Sequence, residues 1–207
     1  MTSKFLVILC VLVPAMARLS AQSVTIEPSR TSAYSEDRPA FMFFKKIVIS
    51  PRSSGSYDVE ITLQDALPNT FPNGRGASFS MEFDFAEIAP EKSLSENRIP
   101  NFHADLDISL NRGIGKTRFE AWPASVDYRK RNWEVKVTNL IARKDTISFS
   151  LRSPLFALHP PSLVLFRSNY WRSTSPTQSF GALIDETTPV SPDPSSSDSL
   201  IPVPTAQ

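Results

Sequence analysis

The sequence predicts an all-β chain: a two-sheet antiparallel β-sandwich, jelly-roll-like, of eight or nine strands. Short segments alternate apolar and polar residues with a period of two, as strands with one buried and one solvated face do. Clusters of Pro, Asn and Ser separate these segments, which marks several short strands joined by turns; glycine is scarce, 6 in 207 residues. Helical patterning is confined to one short stretch, 90–97, where Pro90 suits a first turn.

In chain order, residues 1–21 read as an export signal. Lys4 precedes an apolar run, 5–17, followed by small residues. The run is too short to span a bilayer, which takes about 20 residues. Cleavage after Ala21 would begin the mature chain at Gln22 and leave it without a membrane span. Cys10, the single cysteine, would leave with the signal, so the mature chain has neither a disulfide nor a thiolate nucleophile. No N-x-Ser/Thr sequon is present, which agrees with a bacterial source.

The body, 22–184, reads as one domain. VTIE (24–27) is a possible ninth strand, and MFFKKIVIS (42–50) is the first of eight. YDVEITL (57–63) puts Val59, Ile61 and Leu63 on one face. ASFSMEFDF (77–85) sets Phe79, Met81, Phe83 and Phe85 against Ser78, Ser80, Glu82 and Asp84. ADLDISL (104–110) repeats the pattern with Leu106, Ile108 and Leu110. RGIGKT (112–117) resembles the end of a phosphate loop, but Leu110 stands where such a loop needs its first glycine, so it reads as a hairpin turn. KTRFEAW, NWEVKV (Trp133, Val135 and Val137 on one face), TISFSLRS and SLVLFRSNYW complete the set. Residues 185–207 carry four acids, five prolines and no Lys or Arg; that composition reads as a disordered acidic tail.

Charge and residue types exclude several functions. The 22 cations nearly balance 21 acids, and loss of Lys4 and Arg18 with the signal leaves the chain near neutral. That is not the basic footprint of a nucleic-acid binder. Two histidines and no mature cysteine leave too few ligands for zinc. There is no G-x-S-x-G and no cofactor signature, so no cofactor is expected.

The chemistry that can be argued lies in MEFDFAE (81–87), with Glu82, Asp84 and Glu87. E-x-D-x-x-E beside a strand resembles the signature of the laminarinase and lichenase type of β-glucanases, which are jelly rolls. The resemblance implies Glu82 as nucleophile, Asp84 as its helper and Glu87 as acid/base. A retaining mechanism would need the two glutamates about 5–5.5 Å apart on one face, and so a bulge near 85–86. The same acids also read, with Asp105 and Asp107, as the solvated face of paired strands, with Arg118 or Lys136 as cross-strand partners. As a third reading, Asp105 and Asp107 supply hard oxygens for Ca²⁺.

FRSNYWR (166–172) offers Tyr170, Trp171 and Arg172 as a contact surface, since aromatic faces stack on sugar rings and Arg adds directional donors. YRKRN (128–132) is a basic turn suited to steering towards an anionic polymer. The expectation is an exported, non-catalytic binding or structural domain, periplasmic, secreted or cell-surface. It would contact a glycan, a surface polymer or a protein partner, and not nucleic acid. A polysaccharide hydrolase using Glu82 and Glu87 is the alternative.

Overall fold

A computed structural model describes residues 22–28, 34–52, 55–72, 74–85, 102, 104–125, 135–175 and 178–193. Within them, two five-stranded antiparallel sheets pack face to face, as the alternation predicts. The first sheet runs β1 (Val24–Ile26), β2 (Phe44–Pro51), β3 (Ser56–Leu63), β8 (Thr146–Arg152), β7 (Lys136–Arg143). The second runs β10 (Gln178–Glu186), β9 (Leu163–Ser175), β4 (Arg75–Asp84), β5 (Leu106–Arg112), β6 (Glu120–Ser125).

The core forms where the apolar sides of the two sheets meet. Ile47, Ile61, Ile147 and Leu151 from the first sheet and Phe79, Phe83, Ile108 and Phe166 from the second are all at most 1 % exposed. Burying each such side chain is worth about 1.5–3 kcal/mol, and the shared burial holds every strand in a single register. A slip of one residue would turn these side chains outwards.

The RGIGKT segment is a turn, as expected. Lys116 N–H donates to the Gly113 carbonyl over 3.1 Å, Gly115 takes φ 70°, and strand β6 follows. The expected helix at 90–97 lies outside the described residues. One short helix not anticipated, α1 (Pro154–Leu158), follows β8: Ser153 Oγ accepts from Leu155 N–H over 3.2 Å, and Pro154 stands at its start.

The boundary at 184 needs correction. Asp185 and Glu186 belong to β10, a tenth strand, and ordered chain continues to Asp193. Val190 pairs with Val164 through two backbone hydrogen bonds of 2.8 and 3.0 Å. Asp185 Oδ2 accepts from Phe44 N–H over 2.9 Å in the interior, and Thr187 Oγ1 accepts from Phe166 N–H over 3.1 Å. A polar composition misleads here because these side chains satisfy buried backbone donors instead of facing water. The expected signal, 1–21, and residues 194–207 lie outside the described residues.

Candidate functional site: the outer face of the second sheet

Strand pairing arranges the outward side chains of the second sheet in rows. Glu186, Arg167, Ser80, Ser109 and Trp122 form one row across all five strands. Leu183, Asn169, Ser78, Asn111 and Glu120 form the row beside it, and beyond that Trp171 lies between Gly181 and Gly76. On the other side, Leu165, Glu82 and Asp107 make a row.

Arg167 is the hub of this face. Its Nη1 donates to both oxygens of Glu82, over 2.7 and 3.0 Å, and its Nε to Glu186 Oε2 over 2.5 Å. Burial alone would lower the Arg167 pKa, but the Glu186 and Glu82 contacts hold it above its ordinary value. Burial pushes the Glu82 carboxyl above the usual carboxylate range; Arg167 opposes that and Asp107, directly across the strand pair, reinforces it. Burial likewise raises Asp107, against the hydrogen bond it accepts from Ser109 Oγ over 2.8 Å.

The expectation of a solvated acidic face is therefore overturned. Glu82 is 6 % exposed and Asp84 7 %. The partner of Glu82 is neither Arg118 nor Lys136 but Arg167, on β9 beside β4; Lys136 is on β7 of the first sheet, and Arg118 stands in the connection before β6. Phe102 and Ala104 pack on Leu163 and Leu165 and cover that end of the face. Both Glu82 oxygens are held by a cation, which is unsuited to attack on a sugar carbon. Glu87, which the glycosidase reading also requires, lies outside the described residues.

The two aspartates offered for Ca²⁺ are engaged separately. Asp105 precedes β5, is 2 % exposed and accepts from Phe85 N–H over 2.9 Å, bracing the end of β4. Asp107 faces Glu82 within the strand pair. Among the described residues no group of three or more His, Cys, Asp or Glu is placed to hold a metal ion.

Tyr170, Trp171 and Arg172 do not form one surface, because neighbouring residues on a strand face opposite ways. Tyr170 is 2 % exposed and packs edge-on against Phe41 and Phe71 in the interior. Arg172 is on the same side but beyond the core, exposed. Trp171 alone is on the outer face, half-buried, with its indole lying over Gly76: a Cβ at that position would stand 2.3–2.6 Å from the ring atoms. Glycine thus sets the flat posture of the indole.

Sequence reasoning missed Arg167, Glu186 and Trp122. Trp122 is 61 % exposed on the edge strand β6. The signal for Arg167 was present, since it alternates in step with Leu165, Asn169 and Trp171; Glu186 was masked by its acidic surroundings.

The first sheet carries a shallow outward depression of about 360 Å³, where serines 50, 148 and 150 lie between Asp58, Glu60, Asn139 and Ile141. It has no outward aromatic side chain among its lining residues, since Phe149 is buried. No family model, curated protein or solved structure matches the chain.

Proposed function

We propose that the chain is an exported, non-catalytic binding domain for a hydroxyl-rich polymer such as a polysaccharide, and that the outer face of the second sheet is its contact surface. The observation that carries this reading is Trp171 laid flat over Gly76 beside an open row of small polar side chains. An indole held parallel to the sheet presents its ring to the C–H face of a pyranose without further ordering cost. Asn169, Asn111, Ser78 and Ser109 supply the mixed donors and acceptors that hydroxyls require. Trp122 adds a second ring three strands across and four residues along, about 20 Å from Trp171 by strand spacing and rise, a span suited to an extended chain.

The closed Glu82–Arg167 pair supports the non-catalytic side of the reading, because burial and the guanidinium across both oxygens hinder their approach to a sugar carbon and weaken the carboxylate as a nucleophile. Secretion rests on the leader expected at 1–21 and belongs to the proposal.

The test is affinity electrophoresis of the full mature chain in gels containing β-glucan, xylan, mannan or dextran. Retardation by at least one polymer is expected, with Trp171→Ala and Trp122→Ala each weakening it about five- to tenfold. No retardation by any polymer, or retardation unchanged when both tryptophans are removed, overturns the reading. Release of reducing sugar by the wild-type protein, lost in Glu82→Gln, would replace it with the hydrolase.

A further inference from the structure

At the end of the sandwich where β4 begins, three buried polar atoms have no hydrogen-bond partner: Arg112 Nε, Arg75 Nε and Tyr170 Oη. Register explains their grouping. Arg112 on β5 and Tyr170 on β9 are the two lateral neighbours of Ala77 on β4, and Arg75 precedes Ala77 by two residues on the same face. Ala77 is fully buried, and its short side chain stands in register between the longer ones of Arg112 and Tyr170. The Arg75 guanidinium lies 5.1 Å from the Tyr170 ring, and that of Arg112 lies 3.8 Å over Phe71, whose ring is 5.8 Å from Tyr170.

The charges are unevenly matched. Arg75 pairs with Asp37. Arg112 is 3 % exposed, stacks on Phe71 and Phe119, and donates Nη2 to the Pro68 carbonyl over 2.8 Å, yet has no ion-pair partner among the described residues. A buried guanidinium in that state is costly unless something compensates it. Burial keeps the Tyr170 phenol protonated, hence able to donate.

We infer that Arg112, Arg75 and Tyr170 form an internal site for a small monoanion, of which chloride is the simplest. Both Nε–H groups can only donate, and the phenol is a donor as well, so the three orphaned atoms call for an acceptor. A water accepting from both Nε–H groups would have only the Tyr170 oxygen to receive its two protons; an anion needs no acceptor and also neutralises Arg112. The ion would tie β4, β5 and β9 together at this end, beneath Phe41 and Phe71. This inference stands apart from the polysaccharide reading, since the site is on the inner side of the sheet.

The test uses the full mature chain and two measurements. Crystals soaked in sodium bromide should show an anomalous peak within hydrogen-bond distance of Tyr170 Oη and at least one of the two Nε atoms. In solution, the thermal midpoint should rise saturably with sodium chloride against matched sodium gluconate. Tyr170→Phe, which keeps the ring packing, should weaken the apparent chloride affinity about tenfold. Arg112→Met should abolish the response, and Tyr170→Phe keeps the test decisive if that variant fails to fold. A site filled by water, a chloride response unchanged in Tyr170→Phe, or a bromide peak with no saturable response below about 0.1 M (an adventitious ion only) each overturns the inference; at such a concentration an ion with that affinity adds little stability.

Discussion

Arg167 and Glu82 are joined through a single nitrogen: Nη1 lies 2.7 Å from one carboxylate oxygen and 3.0 Å from the other, with side chains 13 and 8 % exposed. The same guanidinium holds Glu186 through Nε, so one cation links β4, β9 and β10. Replacing Arg167 with Met leaves two partly buried carboxylates facing each other without a counter-charge. The expected cost is about 3 kcal/mol, read from the urea midpoint at unchanged m-value. Glu82→Gln should cost clearly less, because the amide still accepts from Arg167. Equal losses would count against this account, since they would make loss of the Glu82 charge as harmful as loss of its counter-charge.

The pH dependence follows from Glu82 and Asp107, whose pKa values burial raises in the folded state. A raised carboxyl pKa means that the folded state binds protons more readily than the unfolded chain. The contribution of these two groups is therefore most favourable below the unfolded carboxylate pKa, and it declines as pH rises through their folded values. Between mildly acidic and neutral pH, Glu82→Gln/Asp107→Asn should flatten this decline relative to wild type. Denaturation midpoints measured across that range decide it, and parallel curves for the two proteins would count against a raised pKa at either site.

Gly76→Val should displace the Trp171 indole, since even a Cβ would stand 2.3–2.6 Å from it. The expected readout is a red shift of tryptophan emission together with loss of polymer retardation comparable to Trp171→Ala. Gly74→Ala provides the contrast. A Cβ there meets nothing within 4 Å, so its only penalty is the positive φ of 62°, roughly 1 kcal/mol. Emission of that variant should match wild type.

Asp185→Ala removes the acceptor of the buried Phe44 N–H. An unsatisfied buried donor costs about 1–3 kcal/mol, so the urea midpoint should fall accordingly. Ending the chain after Ile184 removes Asp185, Thr187 and the Val164–Val190 pairing together, and should destabilise by more than the single substitution. A truncated chain as stable as the full one would show that this segment adds nothing to the fold.

The fold class was legible because period-2 alternation is a local property. Phe79, Met81 and Phe83 must face one way whatever strand lies beside them, and burial then requires a second sheet to cover that face. β10 was not legible: its apolar residues are interrupted, and its hold on the sandwich comes from carboxyl and hydroxyl oxygens of Asp185 and Thr187 on backbone donors far away in sequence. The candidate site was half legible. Trp171 stood out as an aromatic at a strand end, but its separation from Tyr170 and Arg172 follows from the alternation already used for the core, carried two residues further.

The amino-acid sequence by itself determined that this chain is a cysteine-poor antiparallel sandwich and which face of each central strand is apolar, because side-chain direction repeats every two residues along a strand. Tertiary structure alone decided which strands adjoin. That choice gave Glu82 to Arg167 and not to Arg118 or Lys136, put Gly76 beneath Trp171, and gathered Arg75, Arg112 and Tyr170 around Ala77. The reason is physical: hydrogen-bonded strands bring side chains within about 5 Å across a sheet regardless of their distance along the chain, so the partners of a charge are set by strand order, which no local pattern encodes.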